Sequence, residues 1–567
     1  MVGKVSNKFW LRSYRLGPYK LAETLQPYPK VALHKILDDS AADYPTKVAI
    51  DYEGKEMRYR ELKVMADSLA NALTSLGANR GKSIVILLPN CPQFIISDFA
   101  ILKTGAFTTP ISPLHKASEI EYELNQCRAE TIICLEDHLD LISLTKDKTN
   151  LQNIIVTSAK DFTREQAATP RKIAGTYQLR ELIAKYEAEP PPPEPEIDPM
   201  EDLAYLAFTG GATGTPKGVM LTHYAKRCNL MQSLAWVYSP LIGSIKGKSS
   251  LIVPLPLYHV YAHWASHTAI YLGLRMILVA DPRNTDTIVK LMQQHRPFLV
   301  CTVPTQLMRM AEKKIGRMPV MVMSGAAALP KEVADAVSAE LKMPISEGYG
   351  LTETGPVTHM NLSAFSKITG FMPSVKLSIG VPVPDTEVKL IDPDTGKDVG
   401  FGGEGELYLR GPQTMKGYWP TPGKGLTKDG WVASGDIARS DEDGYFYIVD
   451  RVKDMANISG YKVYTTTIDD VLFTHPAVAM AAAIGIPDPE RSGSERIKAF
   501  IKLKEGYEGK VSAEEIIEHC RDKVPPYAVP KLVEFKEDLP LTVSEKLFKK
   551  ALRDEEITKM KRSGVLQ

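Results

Sequence analysis

Residues 208–223 read FTGGATGTPKGVMLTH. They extend the apolar run DLAYLAF, which predicts a buried strand, and they are mostly glycine, small or hydroxylated residues up to Pro216 and Lys217. A glycine-rich turn of this kind can direct backbone N–H groups and hydroxyls at an anion, while Lys217 adds a positive charge. The segment therefore predicts a phosphate-binding loop after a strand, with an exposed turn of solvated threonines as the alternative.

Two common nucleotide-binding patterns do not fit this loop. A Walker A loop needs glycine directly before its lysine and Ser or Thr after it, whereas Pro216 precedes Lys217 and Gly218 follows it. No GxGxxG pattern follows a strand, which argues against a dinucleotide fingerprint. The loop must be interpreted together with the rest of the chain.

The composition is that of an ordinary soluble protein, and the length predicts two or more domains. The chain has 567 residues, 24% of them charged, and a net charge of +1, which gives no indication of nucleic-acid binding. Its N-terminus has no apolar signal region, and its apolar stretches are interrupted before they reach membrane-spanning length. We expect a cytoplasmic protein without a transmembrane segment. Its six scattered cysteines are then reduced thiols: Cys91, Cys127, Cys134, Cys228, Cys301 and Cys520.

Helical and strand patterns alternate from about residue 30 to 380. The run EMRYRELKVMADSLANALTSLG (56–77) predicts a helix that stops at Gly77, and SIVILLP (83–89) and TIICLE (131–136) predict buried strands. This alternation predicts an α/β fold with stacked sheets covered by helices. Beyond about residue 381 the patterns predict a β-rich module and then a small α/β unit. We expect an N-terminal domain over residues 1–450 and a mobile C-terminal lid over 451–567.

Several further segments accompany the glycine-rich loop in a recognisable order. With TGGATGTPKG (209–218), they resemble the motifs of the adenylate-forming, or AMP-binding, superfamily, and the resemblance extends from about residue 30 to 555. In detail, the motifs look closest to those of bacterial and archaeal medium- or long-chain fatty acyl-CoA ligases. The segments are PLPLYHV (254–260), SGAAALP (324–330), EGYGLTETGP (347–356), GELYLRGPQTMKGYW (405–419), DGWVASGDIARSDEDGYFYIVDRVKDM (429–455) and LPLTVSEKLFKKALR (539–553).

The resemblance implies a nucleotide site assembled from these motifs. The loop would hold the β- and γ-phosphates of ATP, Tyr349 would lie against the adenine, and Asp436 would accept hydrogen bonds from the ribose hydroxyls with Arg451 beside it. Small residues opposite Tyr349 would let the backbone approach the flat ring. The residues implied for ATP or AMP are Thr209, Gly210, Gly211, Thr213, Gly214, Lys217, Gly325, Ala326, Ala327, Tyr349, Gly350, Asp436 and Arg451.

The resemblance also implies the reaction. A carboxylate attacks the α-phosphate of ATP, and at about 4 Å and an effective dielectric near 20 each pair of like charges repels by about 4 kcal/mol. The site therefore needs cations: Mg²⁺ held by Glu353, and Lys546 bridging the carboxylate and the α-phosphate, with Thr352 and His259 beside them. Coenzyme A then takes the acyl group after the C-terminal domain rotates about Lys453. The implied coenzyme A face is Ser459, Gly460, Tyr461 and Lys462.

The acid is the least determined partner. Segments implied to line the acyl pocket, VYAHWASHTAI, CTVPTQLM, SGAAA and GPVTHM, offer no evident cation for a second carboxylate. This favours a medium- or long-chain fatty acid, with Trp264 as a gate or, alternatively, a core residue. An aryl or cyclic acid, a ligase that stops at the adenylate, or a protein that only binds nucleotide remain alternatives. A homodimer is possible.

Some residues depart from the superfamily pattern. Glu545 stands where glycine normally precedes the catalytic lysine, Ala212 replaces a loop hydroxyl, Lys549 occupies a position where arginine is common, and Thr465 and Thr467 replace a proline and a glutamate. We expect Thr465 and Thr467 to affect domain packing rather than chemistry.

Three histidines follow one another at four-residue steps: His259, His263 and His267. On one helix face they would suit a zinc ion, but no HExxH glutamate accompanies them. We expect His259 to border the nucleotide and acyl sites, with His263 and His267 as helix residues near the acyl pocket.

Overall fold

A computed structural model describes residues 8–16, 19–165, 172–209, 216–235, 242–361, 377–491, 493–542 and 546–566 of the chain. None of the helices formed by these residues is both long and apolar enough to cross a membrane.

The helices cover the sheets of the N-terminal part and flank those of the C-terminal part. Up to residue 245 they are α1 (Lys35–Asp43), α2 (Tyr59–Ser75), α3 (Pro92–Lys103), α4 (Ala117–Cys127), α5 (Leu139–Lys146), α6 (Leu179–Tyr186), α7 (His223–Leu234) and α8 (Ile242–Ile245). Beyond it they are α9 (Val260–Tyr271), α10 (Thr285–His295), α11 (Pro304–Ala311), α12 (Lys331–Leu341), α13 (Thr465–Phe473), α14 (Ala513–Arg521) and α15 (Lys549–Arg562).

The strands of the first half of the chain alternate with these helices. They are β1 (Arg15–Leu16), β2 (Tyr19–Lys20), β3 (Val48–Tyr52), β4 (Lys55–Arg58), β5 (Ser83–Leu87), β6 (Phe107–Pro110), β7 (Thr131–Leu135), β8 (Asn153–Thr157), β9 (Tyr177–Gln178), β10 (Leu203–Thr209), β11 (Lys217–Thr222), β12 (Ser250–Val253) and β13 (Arg275–Leu278).

The second half contains β14 (Leu299–Thr302), β15 (Met321–Ser324), β16 (Ile345–Gly350), β17 (Val357–Met360), β18 (Val381–Pro382), β19 (Glu387–Ile391), β20 (Glu404–Arg410), β21 (Gly417–Tyr418), β22 (Val432–Ser440), β23 (Phe446–Arg451), β24 (Ala456–Ile458), β25 (Tyr461–Val463), β26 (Val478–Pro487), β27 (Glu495–Leu503) and β28 (Leu532–Phe535).

Two large mixed sheets form the N-terminal part. One has the strand order β21-β11-β10-β6-β5-β7-β8-β9, parallel from β10 to β9, and the other has the order β18-β17-β16-β15-β14-β12-β13-β3-β4, parallel from β16 to β3. Central parallel strands such as SIVIL of β5 and LVCT of β14 are mostly apolar and buried at every residue, as expected where helices cover both faces of a sheet. In open α/β sheets, ligands bind beyond the carboxyl ends of such strands.

The β-rich module and the C-terminal part follow. Strands β19, β20, β22 and β23 form an antiparallel sheet in that order, and β20 alternates buried and half-exposed residues as a sheet with one covered face requires. In the C-terminal part, β26 pairs antiparallel with β27, and β27 pairs parallel with β28. Their buried residues form two hydrophobic clusters drawn from residues 456–560.

The structure confirms the predicted class, a mixed α/β protein with several sheets and a smaller C-terminal domain. One local prediction is wrong: the run from Glu56 was assigned wholly to a helix, but its first residues belong to β4, which pairs antiparallel with β3. The helix α2 begins only at Tyr59 and ends before Gly77, whose φ of +94° suits a glycine at a helix C-terminus. The boundary at residue 451 stays a prediction.

Candidate nucleotide and acyl site

The glycine-rich segment leaves the first sheet at its carboxyl edge. Strand β10 ends at Thr209 and β11 begins at Lys217, and these two residues pair across the antiparallel ladder. The hydroxyl of Thr209 donates to the carbonyl oxygen of Lys217 at 3.4 Å. The remaining residues predicted to bind phosphate, Gly210, Gly211, Thr213 and Gly214, lie outside the described residues, as does Ala212.

The predicted wall of small residues follows β15. The backbone N–H of Gly325 donates to the carbonyl oxygen of Thr302, and a Cβ at Gly325 would lie 3.2 Å from the ring of Tyr261. Ala326 has a φ of +76°, a left-handed conformation uncommon for alanine, and its neighbour Ala327 is exposed. Such conformations persist where the surrounding structure imposes them, often at ligand sites.

Tyr349 and Gly350 end β16 opposite this wall. A Cβ at Gly350 would lie only 1.7 Å from the carbonyl oxygen of Pro356, so the close approach of two backbone segments requires glycine there. The hydroxyl of Tyr349 donates to Oδ2 of Asp436 at 2.6 Å, and burial raises the pKa of Tyr349. Tyr349 is therefore a neutral donor that fixes the carboxylate of Asp436.

Asp436 and Arg451 face each other on neighbouring strands. They pair in the register of β22 and β23, and Nε of Arg451 lies 3.0 Å from Oδ1 of Asp436. The side chain of Asp436 is buried, whereas that of Arg451 is mostly exposed. Because an ionised carboxylate can accept several hydrogen bonds, Asp436 can accept from further groups besides Tyr349 and Arg451.

Glu353 lies in a 3₁₀ turn (Thr352–Thr354) directly after β16. Its Oε1 accepts a hydrogen bond from the hydroxyl of Tyr418 at 2.7 Å, and Nζ of Lys217 lies 5.1 Å from the centre of the Tyr418 ring. Tyr418 thus joins the phosphate loop to Glu353. It was not predicted as a site residue, although it lies within the GELYLRGPQTMKGYW motif.

Lys546 reaches this group from the C-terminal part of the chain. Its backbone N–H donates to the hydroxyl of Thr542, and its side chain is half-buried. Burial, with the positive charge of Arg451, lowers the pKa of Lys546 to about 8, against the opposing effect of Asp436 and Glu353. The structure therefore brings Lys546 into the electrostatic field of three predicted nucleotide-site residues. Glu545 lies outside the described residues.

His259 is the N-cap residue of α9. Its Nδ1 accepts a hydrogen bond from the backbone N–H of Tyr261 at 3.3 Å. Burial and the nearby charge of Lys546 lower the pKa of His259 to about 3, so its imidazole is neutral at physiological pH. His263 and His267 lie on α9 beside Trp264 and Thr268, and their place near the acyl pocket stays a prediction. Both point to Asp98, at 3.1 and 2.8 Å, because α3 lies against their face of α9.

A small, mostly apolar cavity lies beyond His259, between helices α7 and α9 and the second sheet. Trp264 contributes to its wall, is only 3% exposed, and donates from Nε1 to the hydroxyl of Ser233 at 2.9 Å. Of the segments implied for the acyl pocket, the first and last each contribute to it, whereas CTVPTQLM and SGAAA do not. The cavity is lined by Ser233, Leu234, Leu251, Trp264, Thr268, Leu272, Leu274, Phe298, Leu299, Met321, Met323 and Met360.

The predicted coenzyme A face makes other contacts. Ser459 donates from its backbone to the hydroxyl of Ser494, and Gly460 from its backbone to Oδ1 of Asn457. Tyr461 is 59% exposed and stacks on Tyr527 with ring centres 4.7 Å apart. Lys462 forms an ion pair with Asp394 of the β-rich module. The partners in these contacts are not residues predicted for the nucleotide site.

The predicted hinge is surrounded by contacts that join the two parts of the chain. The carbonyl oxygen of Lys453 accepts from Nη1 of Arg553 at 2.9 Å. Asp450, on the N-terminal side of the hinge, accepts from the backbone N–H and the hydroxyl of Thr465 at the start of α13. A proline at position 465 would have no N–H to donate. The departure at Thr465 therefore affects packing at the hinge, as predicted, while Thr467 is exposed.

Lys549 belongs to the same hinge contacts. Its Nζ donates to the hydroxyl of Thr465 at 2.8 Å and forms an ion pair with Asp469. Lysine at this position thus connects α15 to α13.

Comparisons with known proteins agree with this architecture. The sequence matches the AMP-binding enzyme family over residues 37–419 and the AMP-binding enzyme C-terminal domain over residues 467–546. The long-chain-fatty-acid–CoA ligase of Bacillus subtilis is 34% identical over 574 residues, covering 97% of this chain and 98% of that protein. The 4-coumarate–CoA ligase 1 of Arabidopsis thaliana is 29% identical over 92% of each chain.

Solved structures show the same fold. The crystal structure of an anthranilate CoA ligase in complex with anthranoyl-AMP superimposes with a TM-score of 0.80 at 26% identity, over 93% of this chain and 98% of that one. ATP-bound MatB from Rhodopseudomonas palustris gives a TM-score of 0.80 at 24% identity, over 92% and 98%. The fold and the motifs around Asp436 and Glu353 define an adenylate-forming enzyme. The chain belongs to the AMP-binding enzyme family.

Proposed function

We propose that the protein is an AMP-forming carboxylic acid–CoA ligase that acts on long-chain fatty acids. The observation that carries the proposal is the position of Lys546, whose charge interacts with Asp436, Glu353 and His259 although it comes from the C-terminal part of the chain. A cation delivered to a nucleotide site by a second, smaller domain suits a reaction in which two anions must meet.

The first half-reaction joins the acid to AMP. A carboxylate oxygen attacks the α-phosphorus of ATP, and the bond from that phosphorus to pyrophosphate breaks. The ammonium of Lys546 offsets the charge on the carboxylate and the α-phosphate oxygens, and Thr352 donates to the same phosphate. The neutral imidazole of His259 orients the carboxylate without adding charge.

The nucleotide is held by the residues around Asp436. The base lies between Tyr349 and the backbone of Gly325, Ala326 and Ala327, and Asp436 accepts from the ribose hydroxyls. Lys217 and the loop that follows Thr209 bind the outer phosphates. Tyr349, Asp436 and Arg451 are already oriented by contacts with one another, which reduces the ordering required when ATP binds.

Glu353 suits Mg²⁺, which prefers carboxylate and phosphate oxygens. Its carboxylate lies beside the phosphate loop and is oriented by Tyr418. When bound, the ion would neutralise phosphate charge at the α- and β-positions. Glu353 would hold the ion, with its carboxylate oriented by the hydrogen bond from Tyr418.

The second half-reaction requires another arrangement of the C-terminal part. The thiol of coenzyme A attacks the carbonyl carbon of the acyl-adenylate, the carbon–oxygen bond to AMP breaks, and the thiol proton is released. Rotation about Lys453 would withdraw Lys546 and bring Ser459, Gly460, Tyr461 and Lys462 to the site. The same rotation would break the contacts that cross the hinge, namely Lys462 to Asp394 and Asp450 to Thr465.

The cavity supports a long, flexible acyl chain. Trp264, Thr268 and Leu272 are four residues apart and so lie along one face of α9. Because a helix advances about 1.5 Å per residue, Leu272 lies roughly 20 Å beyond His259 along the axis. An extended chain advances roughly 1.2 Å per bond, so an acid reaching from His259 to Leu272 would contain about sixteen bonds. Met321, Met323 and Met360 in the wall can adapt to such a chain.

An aryl acid is the second candidate, favoured by the similarity to 4-coumarate–CoA ligase 1 and to the anthranilate CoA ligase. A compact ring would use only the part of the site near His259 and Tyr261. The cavity beyond Trp264 would then contribute nothing to the affinity for the acid, which is the difference that substrate tests can detect.

The direct test is a panel of acids with ATP and coenzyme A. Acetate, octanoate, laurate, palmitate, stearate, benzoate and 4-coumarate would be compared by the release of AMP and pyrophosphate and by the formation of acyl-CoA. We expect the highest kcat/KM with palmitate or stearate and equal amounts of AMP and thioester. Best activity with 4-coumarate or benzoate would support the aryl acid, and release of pyrophosphate without AMP or thioester would indicate a ligase that stops at the adenylate.

We also propose that the protein acts in the cytoplasm. All six cysteines are buried and unpaired, which suits the reducing conditions of the cytoplasm. A homodimer stays a prediction, to be measured by light scattering of the purified protein.

A further inference from the structure

Helices α3 and α9 enclose ionisable side chains that the proposed mechanism does not use. At their centre is Asp98, whose Oδ2 accepts hydrogen bonds from Nε2 of His263 at 3.1 Å and Nε2 of His267 at 2.8 Å. Its Oδ1 accepts from the hydroxyl of Thr108 at 2.7 Å. All four side chains are almost completely buried. One carboxylate therefore organises three donors in the interior of the protein.

Lys226 and Tyr205 complete this group. Nζ of Lys226 lies 5.0 Å from the centre of the Tyr205 ring, and that ring packs against His263 with ring centres 4.2 Å apart. Burial lowers the pKa of Lys226 to about 7, while the negative charge of Asp98 opposes this shift and favours the ammonium form. We call the six residues the Asp98 cluster: Asp98, Thr108, Tyr205, Lys226, His263 and His267.

The Asp98 cluster makes one contact with the turn that carries Glu353. Nζ of Lys226 donates to the carbonyl oxygen of Gly355 at 3.4 Å. Gly355 directly follows the 3₁₀ turn and has a φ of +87°, a conformation that favours glycine. The hydrogen bond from Lys226 to its carbonyl oxygen helps to hold this peptide in place. The position of Glu353 is thereby coupled to Lys226.

A second set of contacts reaches His259 and the phosphate loop. The hydroxyl of Tyr205 donates to the carbonyl oxygen of Tyr258, the residue directly before His259, at 3.3 Å. Tyr205 lies on β10, which ends at Thr209 where the phosphate loop begins. His263 stands one turn after His259 on α9. The cluster thus joins the three elements that supply Thr209, Glu353 and His259.

The protonation states fit hydrogen bonding in the cluster. Burial lowers the pKa of His263 to about 3, and burial likewise lowers the pKa of His267. Although burial opposes ionisation, the two histidines hold the pKa of Asp98 well below its usual range. Two neutral imidazoles therefore donate their Nε2–H groups to an ionised carboxylate.

Asp98, His263 and His267 also form a donor set that could hold a metal ion. A metal-bound histidine almost always donates its other ring N–H to an acceptor. Among the described residues, however, Nδ1 of His263 and Nδ1 of His267 have no hydrogen-bond partner. The nearby ammonium of Lys226 would also repel a second cation. Hydrogen bonding explains the contacts better than metal coordination.

We infer that the Asp98 cluster is a positioning network for adenylate formation, which fixes the end of β10 at Thr209, the Glu353 turn and His259 relative to one another. The inference rests on the proposed function, because its consequence is measured as the rate of adenylation. A misplacement of about 1 Å in an active site can reduce a rate by about a hundredfold. Loss of a donor to Asp98 would leave the buried charge poorly compensated and would let the three elements shift.

The test compares two substitutions of one histidine. Gln at position 263 retains an N–H near the place of Nε2, whereas Met has a similar size and no donor. Acid-dependent exchange between ATP and pyrophosphate would be measured well below the melting temperature of every variant. We expect His263→Met to lower kcat by about a hundredfold, with an unchanged KM for the acid, and His263→Gln to recover most of this loss. Asp98→Asn should resemble His263→Met.

A stability control separates positioning from folding. Ile142→Ala creates a cavity in a buried core on the other side of the first sheet, and should lower Tm without changing kcat. If His263→Met does not fold, Thr108→Val removes one hydrogen bond to Asp98 at nearly constant shape, with an expected loss in kcat of about tenfold.

The outcomes are distinct. Wild-type kcat in His263→Met or Thr108→Val, with a lowered Tm as in Ile142→Ala, would overturn the inference and leave the proposed function intact. No exchange by the wild-type protein with any acid would overturn the proposed function, and the inference with it. Stoichiometric zinc in the purified protein, lost in His263→Gln, would show coordination instead of hydrogen bonding and overturn the inference alone.

Discussion

Lys546 lies close enough to His259 for its charge to lower the pKa of that imidazole, although the two residues are 287 positions apart in the sequence. Asp436 and Glu353 in turn act on Lys546. We propose that this arrangement serves adenylate formation, because the predicted coenzyme A face makes other contacts in it. The predictions below follow from this relationship.

The pH dependence of adenylation should reveal Lys546. Burial lowers its pKa to about 8, and the reaction needs the ammonium form, so kcat/KM should fall as the pH rises through about 8. Measurement of kcat/KM reports the free enzyme. Lys546→Arg, charged at every accessible pH, should be slower but should lack this decline. A profile that stays flat to high pH in the wild-type protein would contradict the assignment.

Lys453→Pro tests the hinge. Proline fixes φ near −65° and should restrict rotation at this position. We expect ATP–pyrophosphate exchange to survive, while thioester formation from preformed acyl-adenylate falls steeply. Lys453→Ala, which leaves the backbone free, is the matched control and should retain both activities. Normal overall turnover of the proline variant would argue against two arrangements of the C-terminal domain.

The ion pair between Lys462 and Asp394 gives a second test of the rotation. Because the ion pair is exposed, it stabilises the described arrangement by at most about 1 kcal/mol. Its loss would change the equilibrium constant between the two arrangements by up to about fivefold. Asp394→Ala should leave adenylation nearly unchanged and speed the thioester half-reaction within that limit. Lys462→Ala should instead raise KM for coenzyme A. Identical effects of the two substitutions would mean that Lys462 acts only through the ion pair.

Trp264→Ala tests the acyl pocket. Each buried methylene contributes about 0.8 kcal/mol, so kcat/KM should rise roughly fourfold per carbon until the cavity ends. Removal of the indole, which lies between His259 and the rest of the cavity along α9, should shift the optimum toward longer acids and leave KM for ATP unchanged. Loss of the Trp264 hydrogen bond to Ser233 should also reduce stability. Reduced stability with the same chain-length profile would show that Trp264 is only a core residue.

Local patterns in the sequence predicted most of the fold. Strands β5 and β14 are short, mostly apolar runs, a pattern typical of buried strands. The helix that precedes Gly77 is followed by a glycine, which is a common signal for the end of a helix. Strand β4 was missed because it is short and its formation depends on pairing with β3. Short strands of this kind are decided by tertiary contacts rather than by local preference.

The site residues were predicted from sequence motifs. Residues whose role depends on their neighbours in the folded chain were missed. Tyr418 is one of many tyrosines, and its role depends on lying beside Glu353 and Lys217 in the folded chain. Asp98 is separated by 165 residues from His263, so the sequence indicated a helix face with histidines but not the carboxylate that they share. Long-range pairs of this kind require the three-dimensional structure.

The two half-reactions of Lys546→Ala test the central claim most directly. ATP–pyrophosphate exchange with palmitate would be compared with thioester formation from preformed palmitoyl-adenylate and coenzyme A. Because Lys546 serves only the first step, we expect exchange to fall by about a hundredfold or more, the usual effect of removing a group that stabilises transition-state charge, while thioester formation stays close to that of the wild-type protein. Equal loss in both half-reactions, or full exchange activity in the variant, would contradict the account.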